Sequence, residues 1–332
     1  MKSFKLLIAT SLILFSAFYA SAQYQTKLTV AQDGSADYTT IQEAIDACKA
    51  FPDQQIIVFI KNGTYHEKVT IPACNNHLAL IGESAEKTIL TYDDYFDKID
   101  RGRNSTFFTY TLKVEADDFH AENLTIANTA GTVGQAVSLH VTGDRCSFEN
   151  CRILGHQDTL YTAGEKSRQY FSKCYIEGTT DFIFGAATVL FQQCTLQSLS
   201  NSYITAASTP KGKAFGYVFQ DCKLTAAKGV DKVFLGRPWR DYAKVVFINC
   251  EMGSHITPEG WSNWSKTNRD KTAFYAEYQN SGEGANTQQR VAWSHQLSSS
   301  EAKAYTKDKI LSQAFPSEPT SQKWTNPKIY NK

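Results

Sequence analysis

Phe148-Glu-Asn-Cys151-Arg-Ile153, Phe171-Ser-Lys-Cys174-Tyr-Ile176, Phe191-Gln-Gln-Cys194-Thr-Leu196, Phe219-Gln-Asp-Cys222-Lys-Leu224 and Phe247-Ile-Asn-Cys250-Glu-Met252 are five versions of one phrase. A sixth, Phe119-His-Ala-Glu-Asn123-Leu-Thr-Ile126, is a looser copy with two extra residues. From cysteine to cysteine the steps are 23, 20, 28 and 28 residues, a period typical of solenoid coils. Within a unit, apolar and polar residues alternate, with Cys222 and Leu224 set against Asp221 and Lys223, which reads as short strands rather than helices. Strands that recur at this period without helical partners cannot build βαβ units, so each is expected to pair in parallel with its equivalent one coil later, about 4.8 Å away. A leucine-rich repeat is the nearest rival, but its Leu-x-x-Leu-x-Leu register is missing. The expected fold is therefore all-β, a single right-handed parallel β-helix.

Solenoid ends need covers, because terminal coils otherwise expose apolar core and unpaired strand edges. Thr40-Ile-Gln-Glu43 has the form of a capping box opening a helix whose apolar face holds Ile41, Ala44, Ile45 and Cys48, an N-terminal capping helix. Ser298-Ser-Ser-Glu301 repeats the signal ahead of Ala302, Tyr305, Ile310 and Leu311, which predicts a C-terminal helical tail along the outside or the far end.

The start of the chain reads differently. Lys2 and Lys5 precede an apolar run from Leu6 to Tyr19 and then Ala20-Ser21-Ala22, the layout of a cleavable signal peptide over residues 1–22. A membrane anchor is the alternative, but the run falls short of the roughly 20 residues that span a bilayer. The expectation is an exported, monomeric protein, secreted or periplasmic, that begins at Gln23, forms one domain over 23–332 and does not insert into membranes. With 34 Lys plus Arg against 33 Asp plus Glu, no global field draws it toward nucleic acid, so any acidic ligand must be met locally.

Eight cysteines in an exported chain raise the question of disulfides. Five occupy one register of consecutive coils, which favours a buried column of small apolar side chains. Cys174 and Cys194 are the pair best placed to bridge, since stacked Cα atoms about 4.8 Å apart lie within disulfide range. No Cys-x-x-Cys occurs and the seven histidines lack metal-ligand spacing, so neither a metal nor a cofactor is expected.

In a solenoid, functional side chains from successive coils line up although they lie one period apart in sequence. Asp158 and Asp181, in Gln157-Asp158-Thr-Leu160-Tyr161 and Asp181-Phe-Ile-Phe184-Gly185, are 23 residues apart, the same step as Cys151 to Cys174. The two carboxylates should face each other on adjacent coils. In this order the chain also carries Gln-Ala-Val-Ser-Leu at 135–139, Gln-Asp-Thr-Leu at 157–160, Asp-Phe-Ile-Phe-Gly at 181–185, Leu-Gly-Arg-Pro-Trp at 235–239 and, near its start, Gly63-Thr64-Tyr65-His66-Glu67. This ordered set resembles the pectin methylesterase (pectinesterase) family, in a bacterial-type secreted form, over nearly the whole chain.

The resemblance implies hydrolysis of methyl esters on homogalacturonan, with pectin as the partner. It makes Asp181 the nucleophile, Asp158 the general acid and later base, and Gln135 and Gln157 donors to an oxyanion. Arg237 would pair with Asp181 and keep it ionised, and Trp239 would stack on sugar. Thr111, Tyr161 and Phe184 match substrate-contacting positions. The chemistry is consistent with this, because ester hydrolysis needs a nucleophile, a proton for the leaving methoxide and donors aimed at a tetrahedral oxyanion. The stretches 92–109 and 263–289 match no family pattern and are expected to shape the groove.

Two other readings compete. A calcium-dependent pectate lyase would need clustered carboxylates, for which Asp93, Asp94, Asp97 and Asp100 are candidates within one local segment. A non-catalytic polysaccharide-binding β-helix would need no aligned acid and nucleophile.

Overall fold

The computed structural model describes residues 24–265, 267–312, 324 and 325; the leader at 1–22 and Gln23 lie outside them. The strands form three parallel sheets of eleven, seven and eight strands, and the chain visits the sheets in turn. In the eleven-stranded sheet, Cys146–Glu149 pairs with Arg168–Ser172, then in succession come Thr188–Gln192, Tyr217–Gln220 and Lys244–Ile248. The register in the eight-stranded sheet repeats the cysteine spacing: Arg152 pairs with Tyr175, Tyr175 with Thr195, Thr195 with Lys223 and Lys223 with Glu251. This is the expected parallel β-helix. Among the described residues no helix is long and apolar enough to cross a membrane.

The repeated phrase holds the coils together in two ways. Its phenylalanines form a buried column, Phe148, Phe171, Phe191, Phe219 and Phe247, with successive ring centroids 4.6, 5.1, 4.5 and 4.3 Å apart. Burying each ring is worth roughly 2–3 kcal/mol. The residue before each cysteine turns the chain from one sheet to the next. Asn150, Lys173, Gln193, Asp221 and Asn249 all take left-handed φ, between 49° and 55°. For L-residues this costs roughly 1–2 kcal/mol each, offset because the turning N–H groups still donate across coils, as Asn150 does to Ser172 and Lys173 to Gln192, both at 3.0 Å.

The looser copy shows where its two extra residues went. Ala121, not Phe119, pairs with Phe148, and Asn123 accepts a hydrogen bond from the Asn150 amide at 2.7 Å. The register is unbroken from His120 to Ile126, so Phe119 stands two residues ahead of the column position and fills the space beside it, tilted 55° to Phe148.

The expected bridge between Cys174 and Cys194 is not formed. Both are free, buried thiols. The Cys174 Sγ donates toward the carbonyl of Phe148 and the Cys194 Sγ toward that of Phe171, each at 3.5 Å. In-register parallel strands point equivalent side chains the same way, so proximity of Cα atoms is not matched by the converging Cβ vectors a disulfide requires.

The N-terminal helix, Ile41–Asp46, buries Ile41, Ala44 and Ile45 as expected. Its start is only half a capping box. Thr40 accepts from the Glu43 N–H, but the donors of Ile41 and Gln42 go to the carboxylate of Glu67, at 3.0 Å each. The Gly63-Thr64-Tyr65-His66-Glu67 motif thus fastens the plug to the first coils. The second capping box, Ser298 with Glu301, is complete.

The tail after it packs outside the eleven-stranded sheet, where Ile310 and Leu311 join Leu190, Val218 and Val246 in a separate apolar cluster. Arg168 clamps it. Its guanidinium pairs with Asp144 at 3.0 and 2.5 Å and donates to the Ser312 carbonyl at 2.6 Å. Arg168→Ala is expected to cost about 2–4 kcal/mol. Limited proteolysis should then cut beyond Leu297 well before the coils are attacked; equal cleavage of wild type and variant would deny the clamp.

Candidate active site

The site lies on the outer face of the seven-stranded sheet. Leu112–Val114, Leu139–Val141, Leu160–Thr162, Ile183–Gly185 and Tyr203–Ala207 stack in register, so Lys113, His140, Tyr161, Phe184 and Ala206 form one row. Alternation sends their neighbours Leu139, Leu160 and Ile183 into the core. The row makes an aromatic floor: His140 to Tyr161 and Tyr161 to Phe184 are each 4.6 Å between ring centroids, and Trp239 meets the edge of Phe184 at 5.8 Å. Gly185 and Gly236 let the coils close up, because a Cβ at either would come within 2.1 Å of Thr162 or Thr205 atoms.

Asp158 and Asp181 stand two residues ahead of the paired positions Leu160 and Ile183, so they too are in register on adjacent coils. Both take left-handed φ, 63° and 49°. Their N–H groups are satisfied by Thr180 and Tyr203 carbonyls at 3.0 and 2.8 Å. Left-handed backbone at non-glycine positions costs of order 1–3 kcal/mol and tends to gather where side-chain direction matters; here it turns both carboxyls outward from the strand ends.

Their surroundings differ. Asp181 is held in a bidentate pair, Arg237 Nε to Oδ1 at 3.0 Å and Nη2 to Oδ2 at 2.7 Å. The guanidinium itself lies between the rings of Tyr203 and Trp264, 4.0 and 4.1 Å from their centroids. Burial pushes the Asp181 carboxyl above its ordinary value while the hydrogen bonds and charge of Arg237 pull it down. Asp158 has no such partner. Burial first, and then the charge of Asp181, push it well above the carboxylate range against a weaker pull from Arg237. Of the pair, Asp158 is the carboxyl pushed further toward its protonated form.

Gln135 and Gln157 pair backbone to backbone across the coils, and their side-chain amides have no protein partner among the described residues, so both are free to donate. With Asp158, Asp181, Phe184, Arg237 and Trp239 they line one cavity of about 310 Å3. Seven of the nine residues expected at the site are brought together there. Tyr161 stands next to it in the aromatic floor. Thr111 does not reach it: it is fully buried and its hydroxyl donates to the Ala127 carbonyl at 2.9 Å.

Sequence reasoning missed Phe96, Arg103, Thr106, Phe107, Ala206 and Trp264, which complete the cavity. Ala206 belongs to the strand Tyr203–Ala207, and the other five come from the two stretches expected to shape the groove, where only the lack of a repeat pattern marked them. Asp93 and Asp94 are engaged by lysines, Asp93 with Lys98 at 2.9 Å and Asp94 with Lys68 at 2.6 Å, and stand outside the cavity lining.

A parallel β-helix whose outer face carries an arginine-braced carboxylate, a second buried carboxyl on the adjacent coil and two free amides has the groups that carboxylic ester hydrolysis needs. The family model described as Pectinesterase matches residues 27–314. Pectinesterase 31 of Arabidopsis thaliana is 38% identical over 281 residues, 82% of this chain and 88% of that protein. Among solved structures, the pectin methylesterase from carrot superposes with a TM-score of 0.81 at 33% identity, covering 86% of this chain and 92% of that one. The pectin methylesterase from Erwinia chrysanthemi gives 0.74 at 29%, covering 90% and 100%, so the likeness is not confined to a bacterial type. The chain belongs to the pectinesterase family.

Proposed function

We propose that this enzyme removes methyl groups from homogalacturonan through an aspartyl acyl-enzyme, with Asp181 as nucleophile and Asp158 as acid and base. The observation that carries this is the asymmetry of the pair: one carboxylate is gripped by Arg237 and the other is left to burial and a like charge. Asp181 attacks the ester carbonyl carbon, and the carbonyl π electrons move onto oxygen, where the amides of Gln135 and Gln157 donate to them. As the tetrahedral centre collapses, the C–O bond to methoxide breaks and Asp158 supplies the proton that makes it methanol. Asp158, now ionised, takes a proton from water as that water attacks the acyl-enzyme. The C–O bond to Asp181 then breaks, regenerating Asp181 as an anion and releasing the carboxylic acid product, which gives its proton to solvent and leaves as the carboxylate. Phe184 and Trp239 supply flat apolar faces for the C–H surfaces of the sugar rings.

The enzyme acts outside the cytoplasm as a monomer, cleaved after residue 22; this rests on the leader composition and on the polymeric substrate. Release of methanol from methylated pectin by the purified protein tests the activity, and no release would end the proposal. Gln157→Ala is expected to lower kcat about 10²- to 10³-fold, the usual cost of one oxyanion donor. KM should barely move, since the donor acts on charge that exists only in the transition state. An equal rise in KM with kcat intact would make Gln157 a ground-state binding residue instead.

A further inference from the structure

A second cavity, of about 670 Å3, opens beside Phe234–Gly236, the strand at one edge of the seven-stranded sheet, and shares no lining residue with the catalytic one. Its origin is a bulge in the next coil. Val233 and Gly236 bridge to Ile256 and Trp261, which sets three steps on one side against five on the other. The surplus makes the stretch 257–260 bow out of the ladder beside Phe234. From the preceding coil Tyr203 stacks on the Phe234 ring, with centroids 5.4 Å apart and planes 22° from parallel, and the cavity lies alongside.

The bulge is held in place by Arg290, whose side chain is 3% exposed. It donates to the carbonyls of Thr257 and Pro258 at 3.1 Å each and to that of Gly284 at 2.7 Å. Its remaining donors go to Glu277, Nε to Oε1 at 2.8 Å and Nη2 to Oε2 at 3.2 Å. The guanidinium thus builds the wall, and its charge is matched within it. Gly260 accommodates it: φ is 67°, and a Cβ there would stand 2.4 Å from Arg290 Cδ. The cavity is therefore pre-formed, as small-ligand sites usually are.

The rest of the lining is polar, with an excess of negative charge: Asp231, Glu259 and Glu283 stand against Lys232. The carboxylates of Glu259 and Glu283 and the amides of Gln288 and Gln289 have no protein partner among the described residues. Such a lining repels a uronate, and among the described residues no three acids, histidines or cysteines are grouped to hold a metal ion. Unpaired carboxylates and amides around an aromatic ring suit a neutral sugar. Its hydroxyls donate to the carboxylates in charge-assisted bonds and accept from the amides, while its C–H face meets Phe234. We propose that this cavity is a second carbohydrate site, for a neutral sugar unit borne as a branch on the polysaccharide. Phe234 and Arg237 are three residues apart on one strand, about 10 Å, so a chain over the catalytic pair can place a branch there. The binding requires neither aspartate.

Calorimetry on the full chain with neutral galacto-, arabino- and gluco-oligosaccharides tests the site. At least one is expected to bind wild type, with an affinity indifferent to salt because the ligand is uncharged. The double variant Glu259→Gln, Glu283→Gln and the single variant Phe234→Ala should each weaken that binding about tenfold, one through lost charge-assisted hydrogen bonds and the other through the lost ring face. Glu259 and Glu283 are exposed, so the double variant should melt as wild type does and reads the site even where Phe234→Ala fails to fold. On linear methylated homogalacturonan the double variant should keep its rate, whereas on pectin branched with the bound sugar its KM should rise several-fold with kcat intact. Binding of none of the three oligosaccharides, equal binding by wild type and double variant, or displacement of the neutral sugar by calcium or by unesterified oligogalacturonate overturns the assignment. The calorimetric arm needs no turnover, so it reads this cavity whether or not the wild type releases methanol.

Discussion

Asp181→Asn is expected to lower methanol release by about 10⁴- to 10⁶-fold, the scale on which loss of a covalent nucleophile is felt. The amide keeps the shape of the side chain but cannot supply the anionic oxygen that attacks the ester. It also leaves Arg237 without its counter-charge between Tyr203 and Trp264, and removing one partner of a partly buried pair destabilises. Activity must therefore be read beside a melting curve, and Asp181→Glu serves as the companion variant: it keeps the charge for Arg237 but moves the attacking oxygen by one methylene. Both variants folded and both severely slowed is the expected pair of results. Near-normal turnover by a folded Asp181→Asn enzyme would show that the nucleophile lies elsewhere.

Asp158→Asn should keep the nucleophile and lose about 10²- to 10⁴-fold, the usual share of a general acid and base. Because the same carboxyl acts in both halves of the reaction, acylation and deacylation should both slow. The variant also carries a signature in stability. A carboxyl whose folded pKa is raised, as burial and Asp181 raise that of Asp158, favours folding only in its protonated form. Its ionisation penalises the fold increasingly as pH climbs from the unfolded value of about 4 toward the raised folded value. Asparagine never ionises. Asp158→Asn should therefore melt higher than wild type at neutral and alkaline pH, and the difference should vanish in acid, below the unfolded pKa.

In the active wild type the same asymmetry sets the pH profile. Rate falls in acid as Asp181 takes up a proton and in base as Asp158 gives up its own. Two limbs belonging to a coupled pair are read as macroscopic values, and Asp158→Asn should remove the alkaline one. A melting difference independent of pH would contradict the assignment of the proton to Asp158.

The chain by itself determined the coil. A phenylalanine and a cysteine three residues apart, repeated at 23, 20, 28 and 28 residues, left parallel stacking as the one arrangement that pairs every strand, and the observed register has those steps. The same arithmetic placed Asp158 beside Asp181, because a solenoid converts sequence period directly into spatial adjacency.

What the period could not determine is anything set by direction or by unrepeated loops. The thiols of Cys174 and Cys194 are neighbours that do not bridge, since register fixes where a side chain starts but not that it converges on the next. Thr111 lies inside the wall rather than on it, although it is only two residues from Thr109 and five from Thr106 of the cavity loop, because alternation and the bend after Thr109 decide which face it meets. The half-filled capping box at Thr40 is completed by Glu67, a partner supplied by a later coil. Trp264, which stacks on the guanidinium that governs Asp181, and Arg103, which lines the catalytic cavity, both come from segments with no repeat. Their positions follow from tertiary packing of those loops over the seven-stranded sheet, and no spacing rule along the chain encodes where a loop between coils comes to rest.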